Sequence, residues 1–165
     1  MTATVHASAV LAGARAVLIR GPSGAGKSRL AFSLIAAART GVLPFARLIG
    51  DDRVHLETAG GRLLVRPADS LAGLIEVRGV GIIRLPYEPS AVVGLVVDLG
   101  AGAQRWPEPD EREAAIEGIV IPRLAVASAE HALPPLVAIL TCQFRRIFDG
   151  STESAYGPRE PILGN

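Results

Sequence analysis

Residues 21–28 read Gly21-Pro22-Ser23-Gly24-Ala25-Gly26-Lys27-Ser28, the G-x-x-x-x-G-K-[ST] spacing of a loop that cradles phosphate. Glycines let backbone N–H groups turn inward around an anion, and a helix that starts at the loop adds the positive end of its dipole. Lys27 is the only lysine among 17 lysine and arginine residues. Its compact ammonium can enter a tight backbone cradle and touch two phosphates as a point charge. Ser28 would place a hydroxyl on Mg²⁺. A Gly-rich turn that merely precedes a helix would share this composition. The flanks argue for the phosphate loop: residues 15–20 read as a strand entering it and Arg29 to Arg39 as a helix leaving it.

Transfer of a phosphoryl group needs metal ligands, a proton acceptor and cations over the developing charge. Asp51 and Asp52 close a short apolar run. Neighbours on a strand point to opposite faces, so one of the two at most faces a nucleotide directly. The alternative is a turn with solvated acids. Glu76 and Arg78 stand between apolar runs in Leu74-Ile75-Glu76-Val77-Arg78-Gly79-Val80-Gly81-Ile82-Ile83, and on a strand they share a face. A structural ion pair is the plainer reading of these two. His6 lies on an apolar strand, where a histidine is more often a satisfied core residue than a catalytic one. Neither cysteine pairs nor HExxH occur, so no zinc spacing is present.

The elements that must position these residues follow from patterning. Thr4 to Leu11 predicts a first strand and Gly13 a turn into the second. The helix after the loop carries Leu30, Phe32, Leu34 and Ile35 near helical spacing, with Gly41 to end it. Ala46 to Asp52 predicts a strand ending in two acids. Val54 to Glu57 and Arg62 to Arg66 flank Gly60-Gly61 as a hairpin. Ile82 to Leu85 and Ala91 to Leu99 are further β-rich runs, and Trp106-Pro107-Glu108-Pro109 marks a loop. Leu136 to Ile147 predicts a helix, with Pro134-Pro135 tolerated only at its first turn. Residues 1–150 form one domain on this reading, and 151–165 a flexible tail.

Composition sets bounds. A chain of 165 residues suits one domain with a real core. A net charge of +1 and 4% aromatic content give neither the electrostatic footprint nor the stacking platforms expected of a nucleic-acid binder. One cysteine excludes an internal disulfide framework and fits a reducing cytoplasm. Arg15 and Arg20 interrupt the apolar N-terminal stretch, so no signal peptide is expected. No uncharged apolar run free of proline approaches the length of about 18 residues that a membrane helix needs. The expectation is a cytoplasmic protein with no membrane partner.

Taken together, these residues resemble the catalytic domain of HPr kinase/phosphorylase, a bacterial enzyme that uses ATP to phosphorylate a serine of HPr, the small phosphocarrier of the sugar phosphotransferase system. The resemblance runs through His6-Ala7-Ser8-Ala9-Val10, the loop 21–28, the acids at 51–52 and the decapeptide 74–83, which is the most specific part. It covers roughly residues 4–100. It implies an α/β phosphate-loop kinase domain of the HPr-kinase type, with a β-rich mixed sheet and flanking helices. ATP and Mg²⁺ are the implied cofactors, with Gly21, Pro22, Ser23, Gly24, Ala25, Gly26, Lys27 and Ser28 around the phosphates. Ser28 and Glu76 would hold the metal, Asp52 would accept the serine proton, and His6 and Arg105 would flank the transferred group. An HPr-type phosphocarrier is the implied partner, and a homo-oligomer (a hexamer) the implied assembly.

The chain also departs from that pattern. Arg29 stands where the family commonly has glutamate after the Lys-Ser pair. The chain begins almost at the catalytic strand, as in a short form that lacks the N-terminal domain. The Arg- and Gly-containing segment tied to phosphorylase activity has only Leu133-Pro134-Pro135-Leu136-Val137 in its place, which puts dephosphorylation in doubt. Two rivals stand beside this reading: a small-molecule phosphate-loop kinase, and a catalytically weak nucleotide-binding regulatory module.

Overall fold

The computed structural model describes residues 4–102 and 107–142. In chain order the strands are β1 (Thr4–Val5), β2 (Ser8–Ala12) and β3 (Arg15–Arg20), followed by helix α1 (Lys27–Arg39). Then come β4 (Ala46–Gly50), β5 (Val54–Ala59), β6 (Arg62–Pro67), β7 (Leu74–Val77), β8 (Gly81–Arg84) and β9 (Ala91–Leu99). The hairpin β10 (Glu113–Ile116) and β11 (Ile119–Val126) leads into helix α2 (Ala129–Cys142).

Strand β9 is the spine of a mixed nine-stranded sheet. Its run Ala-Val-Val-Gly-Leu-Val-Val-Asp-Leu is apolar at almost every position, as a strand covered on both faces requires. Its first residues pair antiparallel with β6, while its remainder lies parallel to β3 on one side and to β11 on the other. Beyond β3 the order continues through β2 to β4, and beyond β6 through β5 to β1. The β7–β8 hairpin is separate from this sheet.

Side chains alternate across the central strands and so feed two cores. Val17 and Ile19 of β3, with Leu95 and Val97 of β9, meet Leu30 and Leu34 of α1 and Leu136 and Leu140 of α2. Ala16 and Leu18 point the other way, to Val96, Ile49, Leu63, Val65 and Ile121. Burying a side chain of Val or Leu size is worth about 1.5–3 kcal/mol, so both cores stabilise the sheet. The architecture is the expected β-rich mixed sheet, with both helices packed into one of the two cores.

Several boundaries differ from the sequence reading for identifiable reasons. The first strand is two strands: Thr4–Val5 pairs with β5, whereas Ser8–Ala12 pairs with β3 and β4, so the chain changes partners at His6-Ala7. Strand β4 stops at Gly50, and both acids follow it in a bend. Residues 74–84 form a hairpin, which places Arg78 in its turn and not on a strand beside Glu76. Helix α2 begins at Ala129, seven residues before the expected start, with Pro134 and Pro135 inside it. Two missing backbone donors weaken that turn. The spacing Ala132, Leu136, Leu140, all fully buried against the core, outweighs the loss. The expected tail at 151–165 lies outside the described residues.

At the C-terminal end of β9, Asp98 ties three strands together. Its carboxylate accepts two hydrogen bonds of 2.8 Å from Arg20 of β3 and one of 2.5 Å from Arg123 of β11. Burial by itself would raise the Asp98 pKa, but the hydrogen bonds and charges of Arg20 and Arg123 together hold it below the usual 3.8. A carboxylate whose folded pKa is depressed contributes stability above its unfolded pKa and loses it as pH falls through the folded one. Asp98→Asn should therefore cost about 1–3 kcal/mol near neutrality, less than a fully buried pair because Arg20 stays partly in water. Urea unfolding at neutral pH and below 3.8 tests this. The gap between wild type and variant should shrink in acid, and an equal gap at both would show that the charge is not what matters.

Candidate active site

The loop between β3 and α1 turns through three left-handed glycines, Gly21 at φ 155°, Gly24 at φ 77° and Gly26 at φ 94°. At two of them a side chain would also have no room. A methyl on Gly21 would lie 3.0 Å from the Leu99 carbonyl oxygen, and one on Gly26 would lie 2.7 Å from the Ala129 Cβ. The loop is thus pressed between the end of β9 and the start of α2. Gly26 caps α1 without a side-chain hydrogen bond, and no acid occupies the first turn. The first N–H groups of α1 and its dipole are left available to an anion.

Lys27 is 6% exposed, and its Nζ donates to the carbonyls of Gly21 and Pro22 at 2.9 and 3.0 Å. The ammonium thereby closes the loop on itself. Burial pushes the Lys27 pKa below 10.5, against the opposing pull of Asp52 and then Asp51.

The adjacent acids have different surroundings. Asp51 is buried at 4% exposure, and its Oδ1 accepts from Ser8 Oγ at 2.5 Å and from Ser28 Oγ at 2.9 Å. Its Oδ2 accepts from the backbone N–H of Glu76 at 3.2 Å. Asp52 adopts φ 65°, an uncommon conformation for a residue with a side chain, and this turns its carboxylate outward. That side chain is 64% exposed and lies 3.3 Å from His6 Nε2. One acid is fixed beneath the loop; the other is presented to solvent at its edge.

Of the residues singled out from sequence, the structure brings Ser28 and the backbone of Glu76 to Asp51, and His6 to Asp52. Arg105 lies outside the described residues. Glu76 is exposed, and among the described residues no ion pair joins it to Arg78. The sequence alone assigns no role to Ser8 or to Asp51. Strand parity allows at most one of the two acids to face a nucleotide and does not say which, and the chain leaves the strand before either.

Among the described residues no three His, Cys, Asp or Glu side chains gather as a metal site. The oxygens present instead suit a hard cation that keeps substrate phosphates as ligands, since Mg²⁺ is commonly held through one or two carboxylates plus phosphate. Asp51 joins Ser28 and Glu76: its carboxylate accepts from the Ser28 hydroxyl and from the Glu76 backbone N–H, and the Glu76 side chain is exposed. Arg29, the departure after the Lys-Ser pair, forms a 2.9 Å ion pair with Glu130 in the first turn of α2.

Comparison with known proteins gives concordant matches. The family described as HPr Serine kinase C-terminal domain matches residues 1–88. The HPr kinase/phosphorylase of Clostridium tetani is 36% identical over 90 residues, 50% of this chain and 27% of that protein. That of Limosilactobacillus reuteri is 32% identical over 127 residues, 67% of this chain and 36% of that protein. The chain thus spans about a third or less of these two curated relatives. The solved structure of the Hpr(Ser) kinase/phosphatase from Coxiella burnetii superposes with a TM-score of 0.70 at 26% identity, covering 90% of this chain and 100% of that one. No helix of the described residues is long and apolar enough to cross a membrane.

The loop geometry can be tested without any ligand. Gly24 and Gly26 share the left-handed conformation, but nothing lies within 4 Å of a methyl at Gly24. Gly24→Ala should cost only backbone strain, about 1–2 kcal/mol. Gly26→Ala adds a clash with α2 and should cost about 1–3 kcal/mol more. Equal losses in thermal unfolding would mean that α2 does not press on the loop.

Proposed function

The chain belongs to the HPr Serine kinase C-terminal domain family, and from that premise we propose that it is an ATP- and Mg²⁺-dependent serine kinase acting on an HPr-type phosphocarrier protein. The observation that carries this reading is the division of labour between Asp51 and Asp52 beside a loop closed by Lys27. A buried acid bonded to the Ser28 hydroxyl suits the metal end of a bound nucleotide. An exposed acid at the rim suits a protein substrate, whose hydroxyl must arrive from solvent.

On this proposal the amides of residues 21–28 and the Lys27 ammonium hold the β- and γ-phosphates. Lys27 exchanges the carbonyls of Gly21 and Pro22 for phosphate oxygens, so the ammonium stays paired throughout. Ser28 and Glu76, held together by Asp51, would bind Mg²⁺, which when bound neutralises charge on the phosphate oxygens. Asp52 takes the proton of the attacking serine as its Oγ–P bond forms and the bond to the departing ADP breaks. His6 orients the Asp52 carboxylate from 3.3 Å, and Arg105 contributes positive charge to the transferred group. We take the reaction to be cytoplasmic, where ATP is available.

The reading favours the kinase direction. Residues 133–137 lie within α2 and Leu136 is fully buried, so that stretch offers no guanidinium to hold a second anion. Phosphoserine-HPr incubated with the protein, Mg²⁺ and inorganic phosphate should release little or no pyrophosphate. Rapid release would overturn this part.

Incubation with labelled ATP and purified HPr, followed by mapping of the labelled residue, tests the kinase itself. Label should appear on one serine. Asp52→Asn should lower turnover by about 10²–10⁴-fold with ATP affinity retained, the usual worth of a general base. Nucleotide binding with no transfer to HPr would favour a regulatory module, and a greater loss in Asp51→Asn turnover at unchanged Mg²⁺ dependence would exchange the roles of the two acids.

A further inference from the structure

Ser8 is the one polar residue in a run of otherwise apolar positions, Ala7 to Val10, all fully buried. A buried hydroxyl is costly unless it is hydrogen-bonded. Its partner is Asp51, 43 residues away in sequence, at 2.5 Å. The register of β2 on β4 shifts between Ala9 and Val10, with Ala9 opposite Gly50, and this sets Ser8 against the bend that begins at Asp51. Two hydroxyls from different elements, Ser8 of β2 and Ser28 of α1, thus converge on the same carboxylate oxygen, while the other oxygen is taken by the Glu76 N–H.

We propose that Ser8 is a positioning residue for the metal–nucleotide end of the site. Resting on the reading of residues 21–28 as a metal–nucleotide site, the inference extends it to a residue that touches neither metal nor phosphate. Ser8 fixes the rotation of the Asp51 carboxylate. Asp51 then draws the Ser28 proton inward, which leaves the lone pairs of Ser28 Oγ directed at the cation. Without Ser8, Oδ1 loses its buried donor, the carboxylate can turn, and the Ser28 hydroxyl loses its orientation. Partners that orient a metal ligand typically change metal affinity by about 10–100-fold when removed.

The experiment measures affinity for a fluorescent non-hydrolysable ATP analogue with and without Mg²⁺, so that the metal-dependent gain is read apart from turnover. Ser8→Ala should reduce that gain about 10–100-fold while the metal-free affinity stays near wild type. Ser8→Cys, close in size but a far weaker donor, should show the same loss in smaller measure and serves if the alanine variant does not fold. In an Asp51→Asn background, Ser8→Ala should add no further loss, because its effect runs through Asp51. An unchanged gain in both single variants, or an equal further loss in the Asp51→Asn background, would overturn the role of Ser8. Failure of the wild-type protein to bind the analogue at all would instead overturn the nucleotide reading beneath it.

Discussion

A carboxylate with almost no access to water must find its partners inside the protein, and the structure meets that demand at Asp51 with donors from three segments. Ser8 comes from β2, Ser28 from α1 and the Glu76 N–H from β7. None of these is a sequence neighbour, so the bonds can form together only when the sheet, the helix and the separate hairpin are all in place. In a low-dielectric interior the cost of leaving one such group unpaired exceeds the net gain from any single bond. The demand for complete satisfaction therefore carries geometric information: it fixes how α1 and β7 sit relative to the end of β4.

The phosphate loop meets a complementary constraint. Its backbone must bend through conformations that only glycine adopts easily, and it has a neighbour on each side that leaves no space for a side chain. Lys27 fills the interior of the bend with its own ammonium. Burial makes that charge easier to lose than in water, and the two nearby acids oppose the loss. A phosphate would act in the same sense as the acids. The loop thus holds a cation whose missing stabilisation a bound anion would supply.

Much of this was legible in the chain. The spacing of Gly21 to Ser28, the run of β9 and the Gly60-Gly61 hairpin are local patterns, and each appears where local chemistry put it. The sequence also singles out the pair of acids and Glu76, and the structure bonds the Glu76 backbone N–H to Asp51. What it could not convey was set by contacts distant in sequence. Whether Asp51 or Asp52 turns inward depends on the bend after Gly50 and on a hydroxyl 43 residues upstream. The start of α2 depends on three buried residues finding α1, which overrides the local signal of two prolines. Arg29 departs from the expected pattern, and the partner that accounts for it, Glu130, stands 101 residues later.

The close approach of Gly26 to Ala129 makes two positions answerable to one another across the fold. A branched side chain at 129 would press on the phosphate loop as surely as a side chain at 26 would press on α2. Natural variation at these sites should accordingly be correlated, with small residues at 129 wherever 26 must stay glycine. The ion pair between Arg29 and Glu130, one helical turn away, is free to reverse its charges as a pair, because it is exposed and asks only for opposite signs. The contact between loop and helix thus imposes a size rule at its centre and a charge rule at its rim, and the two can drift independently over evolutionary time.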